Sequence, residues 1–235
     1  MDEGWQALYE GLDRAGPGSP EDTRRALALT GLSGRLRVLD IACGPGPASL
    51  VLLDALPEAR VTATDLHEPF LAAATRRVAA AGQGARFRTV QADMAALPFP
   101  KASFDLLWCE GAAYILGVPQ ALAAWRPLLA PGGRLAFSEA VWLTDRPAPE
   151  ASAIFAGYPA MTDVPGTRAR IAAAGWRLLG DFVLSRAAWE GYYAPLEARA
   201  RTLPDSASVR ETRAEVDVWR RHGADYGYAF VVAEP

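Results

Sequence analysis

The chain has 235 residues, 51% of them hydrophobic and 22% charged, with a formal net charge of −3. This is globular composition, long enough for one sizeable α/β core, and the charge gives no electrostatic case for a nucleic-acid partner. No apolar run approaches the ~20 residues that span a bilayer, Asp2 and Glu3 open the chain with no secretory core, and two cysteines make no disulfide framework; a cytoplasmic protein without membrane partner, monomer or homodimer, is expected.

In chain order, residues 3–13 predict a short amphipathic helix with Trp5, Leu8, Tyr9 and Leu12 on one face. Ser19-Pro20-Glu21-Asp22 then reads as a helix start: a serine cap, proline in the first turn and an acid three residues after the cap. Five short apolar runs follow as strands, near 36–41, 59–64, 85–90, 104–109 and 132–141, with helices between them. Alternating strands and helices imply parallel βαβ units with right-handed crossovers. From 143 to 175, Pro147, Pro149, Pro159 and Pro165 interrupt short helical pieces, which suggests an inserted cap. Trp176 to Leu184 predicts a sixth strand. A helical stretch over about 187–222 breaks near Pro204-Asp205-Ser206, and Tyr226 to Ala233 alternates as a closing strand. One domain over 1–235 is expected, its core at about 34–142 and 176–235 and its lid at about 1–33 and 143–175.

The most informative segment is Val38–Leu50, V-L-D-I-A-C-G-P-G-P-A-S-L: a buried strand, a glycine turn and a helix start. Gly44 and Gly46 permit close approach of a ligand to the backbone. Pro45 and Pro47 each remove an N–H donor, and the third glycine of the dinucleotide fingerprint is missing. The turn is therefore poorly equipped for phosphate, whereas Asp40 inside the strand suits a ligand cationic near the turn. S-adenosylmethionine, with a sulfonium and an ammonium, is such a ligand. Asp40 has a second reading, as the group that bonds the N–H donors of the turn. Asp65 ends the second strand roughly 20 residues or slightly more past the glycines, where a carboxylate can accept both ribose hydroxyls. Asp93 follows the third strand and can accept the adenine amine, while Met94 covers the ring. In a parallel sheet of this kind the ligand lies beyond the carboxyl ends of the strands.

These elements resemble class I S-adenosylmethionine-dependent methyltransferases. The resemblance rests on L-D-I-A-C-G-P-G (39–46), A-T-D-L (63–66), Q-A-D-M-A-A-L-P-F (91–99), F-D-L-L-W (104–108) and L-L-A-P-G-G-R-L (128–135), in the family's order and covering about half the chain. The G-P-G-S at 16–19, W-C-E-G-A-A-Y at 108–114 and S-E-A-V-W-L-T-D at 138–145 are similar to a small-molecule subgroup (type 11/25-like domains). The resemblance implies a doubly wound, Rossmann-like α/β fold. Its seven-stranded sheet is mostly parallel with the last strand antiparallel, and N-terminal helices and a helical lid complete it. It also implies a cofactor site at Asp40, Cys43, Gly44, Gly46, Asp65, Leu66, Asp93, Met94 and Glu110.

On the acceptor side, Glu110 follows the fourth strand and is the candidate catalytic residue. It could take a proton from an acceptor, hold an acceptor cation, touch the cofactor's methionine part, or simply favour a helix dipole. Tyr114, Glu139, Trp142 and Tyr158 are candidate acceptor contacts. Glu139 could instead be buried against another polar group, and the aromatics could be core packing. His67 is read as a helix start near adenine. Cys43 and Cys109 are read as small ligand-lining residues, a redox pair being the remote alternative. With two histidines and no ligand-like cluster around them, no metal is expected. The expected activity is methyl transfer to a small-molecule acceptor. The alternatives are an NAD(P)-binding oxidoreductase and an S-adenosylmethionine-binding module without turnover. No N-P-P-Y-like motif follows the fourth strand, so methylation of nucleic-acid or glutamine nitrogens lacks support.

Overall fold

The computed structural model describes residues 3–235; Met1 and Asp2 lie outside them. Strands β1 (Arg37–Ile41), β2 (Arg60–Asp65), β3 (Phe87–Gln91), β4 (Phe104–Cys109) and β5 (Leu129–Trp142) run parallel, in the spatial order β3-β2-β1-β4-β5. Beyond β5 lie β8 (Tyr226–Glu234) and then β7 (Arg177–Val183), with β8 antiparallel to both neighbours. This seven-strand path is the expected doubly wound sheet. An eighth strand, β6 (Thr162–Asp163), was not expected. It pairs in parallel with Val141 and Trp142. The last β4 partner on β5 is Phe137, and β8 occupies the opposite edge as far as Trp142, so β6 fills the edge that β4 vacates.

The strands carry apolar residues on both faces because both faces are covered. Val38, Leu106 and Trp108 enter one core cluster, whereas Leu39, Ile41, Leu107 and Cys109 enter another. The period-two alternation thus sorts residues between two interiors rather than between core and water.

Helix α1 is shorter than predicted, spanning Glu3–Tyr9. Helix α2 (Pro20–Thr30) starts as the sequence indicated. Ser19 Oγ accepts the Asp22 N–H at 3.1 Å and donates to Asp22 Oδ2 at 2.7 Å, and left-handed Gly31 (φ 63°) stops the helix. The predicted lid is corrected at two places. Helix α2 packs on helix α3 (Pro47–Ala55) and on β5, β7 and β8, and helix α8 (Val164–Ala173) packs on helix α6 (Val118–Trp125), β5 and β7. Both are sheet-covering helices. Conversely α9 (Arg186–Thr202) and α10 (Ala207–His222), placed by sequence with the core, contribute to the cover of the cavity at the strand ends. The remainder of that cover comes from α1, the loop after it, and the segment around α7 (Pro149–Ile154).

Gly46 has a structural reason to be glycine. Its φ is +79°, and a Cβ there would stand 2.7 Å from Ala74 Cβ and 3.0 Å from Ala74 Cα, in helix α4 (Glu68–Ala80). Gly46→Ala combines the left-handed penalty with an overpacked α3–α4 contact and is expected to cost about 2–4 kcal/mol in urea unfolding. A loss below about 0.5 kcal/mol would show that α4 can move aside.

Candidate active site

The sheet reverses direction of growth between β1 and β4, the switch point at which α/β sheets hold ligands. A cavity of about 950 Å³ opens there, at the upper end of the roughly 300–1,000 Å³ common for small-molecule sites.

Its floor is the turn after β1. Cys43 N–H donates to Thr64 O at 2.8 Å, and Gly46 N–H donates to Cys43 O at 3.0 Å. Gly44 N–H donates to Asp65 Oδ2 at 2.9 Å. Pro45 and Pro47 have no N–H to give. From 43 to 47, then, each amide donor is either missing or already used within the protein, which extends the sequence argument against a phosphate cradle. Ala42 adopts φ 54° at the start of this turn, a left-handed conformation that costs a residue with a Cβ about 1–2 kcal/mol.

Three carboxylates surround the turn. Asp40 is 1% exposed, and its Oδ2 accepts the Ser49 Oγ hydroxyl at 2.6 Å. Burial raises its pKa to about 7, partly offset by the Ser49 bond. The expected alternative for Asp40, bracing the N–H groups of the turn, is corrected: Asp65 does this. Asp65 Oδ2 takes Gly44 N–H and Oδ1 takes His67 N–H at 2.9 Å. His67 is the N-cap position of α4, as read from sequence. Asp93 accepts Ala95 N–H at 2.8 Å, and Trp125 Nε1 pins the Met94 carbonyl at 2.9 Å.

Of the predicted cofactor residues, Asp40, Cys43, Gly44, Asp65, Leu66, Asp93, Met94 and Glu110 line the cavity. Gly46 does not; its contact is with α4. Cys43 and Cys109 are both buried free thiols, held in the thiol form by burial. Among the described residues no group of three or more His, Cys, Asp or Glu could hold a metal.

Glu110 lines the cavity but is already engaged. Arg14 Nη1 donates to Oε2 at 3.0 Å, while Thr23 Oγ1 at 2.7 Å and Trp108 Nε1 at 2.9 Å donate to Oε1. Three donors, one of them cationic, take three of the roughly four acceptor positions of its two oxygens. The carboxylate thus ties the N-terminal segment to the end of β4, an engagement the general-base expectation did not include. Arg14 and Thr23 lie 96 and 87 residues away in sequence, which is why no local pattern announced them.

Two of the four acceptor-side candidates, Tyr114 and Tyr158, line the cavity, their rings 5.9 Å apart. Trp142 does not. Phe155, which does, packs edge-on against it at 5.5 Å, so Trp142 backs the wall. Glu139 lies behind Tyr158 and is 1% exposed. Neither its carboxylate oxygens nor the Tyr158 hydroxyl closes a hydrogen bond. Burial pushes Glu139 up to about 7, with Tyr158 and the Arg170 charge partly offsetting it.

The far end of the cavity was only partly anticipated. Tyr192 and Tyr193 of α9 line it with Tyr9, Tyr228, Trp189 and Glu215 of α10. Tyr9 and Tyr192 share a hydroxyl–hydroxyl bond of 2.9 Å, and Tyr193 donates to Glu215 Oε1 at 2.6 Å. Glu215 sits in a strongly charged helix, where no local pattern marks it as facing inward.

Comparison with known proteins agrees with this geometry. Residues 38–133 match the family model described as a methyltransferase domain. The chain is 38% identical over 117 residues to the demethylmenaquinone methyltransferase of Thermus thermophilus, covering 49% of this chain and 52% of that protein. It is 41% identical over 103 residues to the malonyl-[acyl-carrier protein] O-methyltransferase of Enterobacter lignolyticus, covering 43% and 38%. The chain thus spans about half the length, or less, of these curated relatives. The whole fold matches the crystal structure of an S-adenosylmethionine-dependent methyltransferase from Geobacter sulfurreducens bound to S-adenosylhomocysteine. The TM-score is 0.86 at 20% identity, over 100% of this chain and 98% of that one. Residues 38–133 match the methyltransferase-domain family model, and the whole chain has the fold of S-adenosylmethionine-dependent methyltransferases.

Proposed function

We propose that the chain transfers a methyl group from S-adenosylmethionine to a small-molecule acceptor. The observation that carries this reading is a turn with its amide donors used up, set among Asp40, Asp65 and Asp93 on one cavity. Bound there, S-adenosylmethionine supplies an electrophilic methyl on a sulfonium. Asp40, buried with only a neutral hydroxyl partner, would gain a cation and with it a reason to ionise. Asp65 would accept the ribose hydroxyls through the lone pairs its two backbone bonds leave free. Asp93 would accept the adenine amine, with Met94 and Leu66 against the ring.

Positioning and water exclusion supply much of the rate in such a transfer. The aromatic cover from α1, the α7 segment, α9 and α10 suits that task, and it favours an enzyme over a binding module without turnover. The relatives' names differ in acceptor, so the acceptor does not follow from them.

Calorimetric titration with S-adenosylhomocysteine and, separately, with NAD⁺ is the direct test. Micromolar binding of the former and none of the latter is expected. The reverse pattern would favour the oxidoreductase alternative, and failure of both to bind would remove this proposal.

A further inference from the structure

The acceptor end of the cavity is built from rings and one acid. Tyr9, Tyr114, Tyr192, Tyr193, Tyr228 and Trp189 come from three separate helices and a strand, and all line the cavity with Glu215 of α10. Four of the rings form a continuous set. Tyr192 and Tyr193 centroids lie 4.9 Å apart, Trp189 and Tyr193 5.8 Å, and Trp189 and Tyr228 5.1 Å. The carboxylate within it accepts the Tyr193 hydroxyl, a neutral partner. An apolar acceptor would need none of this acid, and a half-buried carboxylate set among rings without a cation is poorly compensated. Aromatic faces gathered around a single negative charge are the chemistry that selects an alkylammonium group.

We infer that this chamber receives a tertiary amine acceptor as its free base and stabilises, between the tyrosine rings and Glu215, the positive charge that the nitrogen gains on methylation. The inference rests on the methyltransferase reading and narrows it to nitrogen. It also fits the engagement of Glu110. When a tertiary amine is methylated, its lone pair becomes the new N–C bond and the C–S pair stays on the donor's sulfur. Charge passes from sulfur to nitrogen; the ammonium proton is lost to solvent before binding, so the displacement itself needs no base in the site. A site with no free general base beside the β4 end can do this chemistry, and the cage would then hold the quaternary product.

The test compares two probes of nearly equal shape, choline and its uncharged isostere 3,3-dimethylbutan-1-ol. Each is titrated calorimetrically into the protein saturated with S-adenosylhomocysteine, so that the cofactor end is filled. Choline is expected to bind at least about tenfold tighter than the alcohol, since a desolvated cation–π contact is worth about 2 kcal/mol before the Glu215 charge is added. Glu215→Gln should cut that preference at least about fivefold, leaving the part due to the rings, with the alcohol's affinity unchanged. Tyr193→Phe, which keeps the ring and removes only the hydroxyl on Glu215, should keep the preference within about threefold of wild type; it also serves as the folded control should Glu215→Gln unfold. Equal binding of the two probes, absence of choline binding, or a choline preference that Glu215→Gln leaves undiminished would each overturn the inference. Those results with S-adenosylhomocysteine still bound would sink the amine reading alone, whereas loss of S-adenosylhomocysteine binding would sink the reading beneath it.

Discussion

Asp65→Ala is expected to weaken S-adenosylhomocysteine binding by at least about 100-fold. Each hydrogen bond to a charged group contributes about 1.5–3 kcal/mol, and the proposed ribose contact uses two. Each oxygen of Asp65 is already fixed by one backbone N–H, Gly44 on one side and His67 on the other. The carboxylate thus enters binding with its orientation settled, and little entropy is lost in using it. The same bonds predict a second effect. Removing the side chain leaves the Gly44 and His67 donors without it, so stability should fall by about 1–3 kcal/mol. Binding and thermal unfolding must therefore be measured on one preparation. Asp65→Asn separates the two roles. It preserves size but only one of the two acceptors, its NH2 facing the other backbone N–H, so only part of the stability should return, and with the charge gone affinity should stay at least about tenfold down. An alanine variant that binds within threefold of wild type would remove Asp65 from the ligand.

Much of this site could be read before the structure, and the reason is local. Strands β1, β2 and β4 are short, mostly buried runs, each followed by a turn, and the acids that matter sit at or beside strand ends, where chain order alone puts them on one sheet edge. What escaped depends on distant partners. Asp40 looked like the brace of the glycine turn because it precedes it, yet Ser49, nine residues on, takes its carboxylate and Asp65 braces the turn. The partners of Glu110, Arg14 and Thr23, reach it from the N-terminal segment. Glu215 carries no local signal in the charge-rich α10, whose packing on α9 sets it beside Tyr193. Strand β6 escaped because two residues carry no periodicity; its existence follows from where β4 stops.

Glu139→Gln should make the protein more stable above neutral pH and leave it nearly unchanged in acid. The carboxyl has an ordinary value of 4.5 and stands at about 7 in the folded chain because burial opposes its charge. The folded state therefore keeps the proton over a range in which the unfolded state has lost it. Stability follows the difference in bound protons, so it declines as pH rises through this window. The contribution is complete below about pH 4.5 and gone above about pH 7, a change on the order of 3 kcal/mol. Glutamine has nearly the same shape and never ionises. At pH 8 it should raise stability by about 2–3 kcal/mol, or Tm by about 5–10 °C for a chain of this size; at pH 5 the two proteins should melt together. The pH slope should shrink without vanishing, because Asp40 is raised to about 7 by the same cause and remains in the variant. Parallel stability profiles from pH 5 to pH 8 would contradict this account. They would mean that the Glu139 carboxylate is ionised throughout, with Arg170, the cation that already lowers its pKa, as the partner that holds it so.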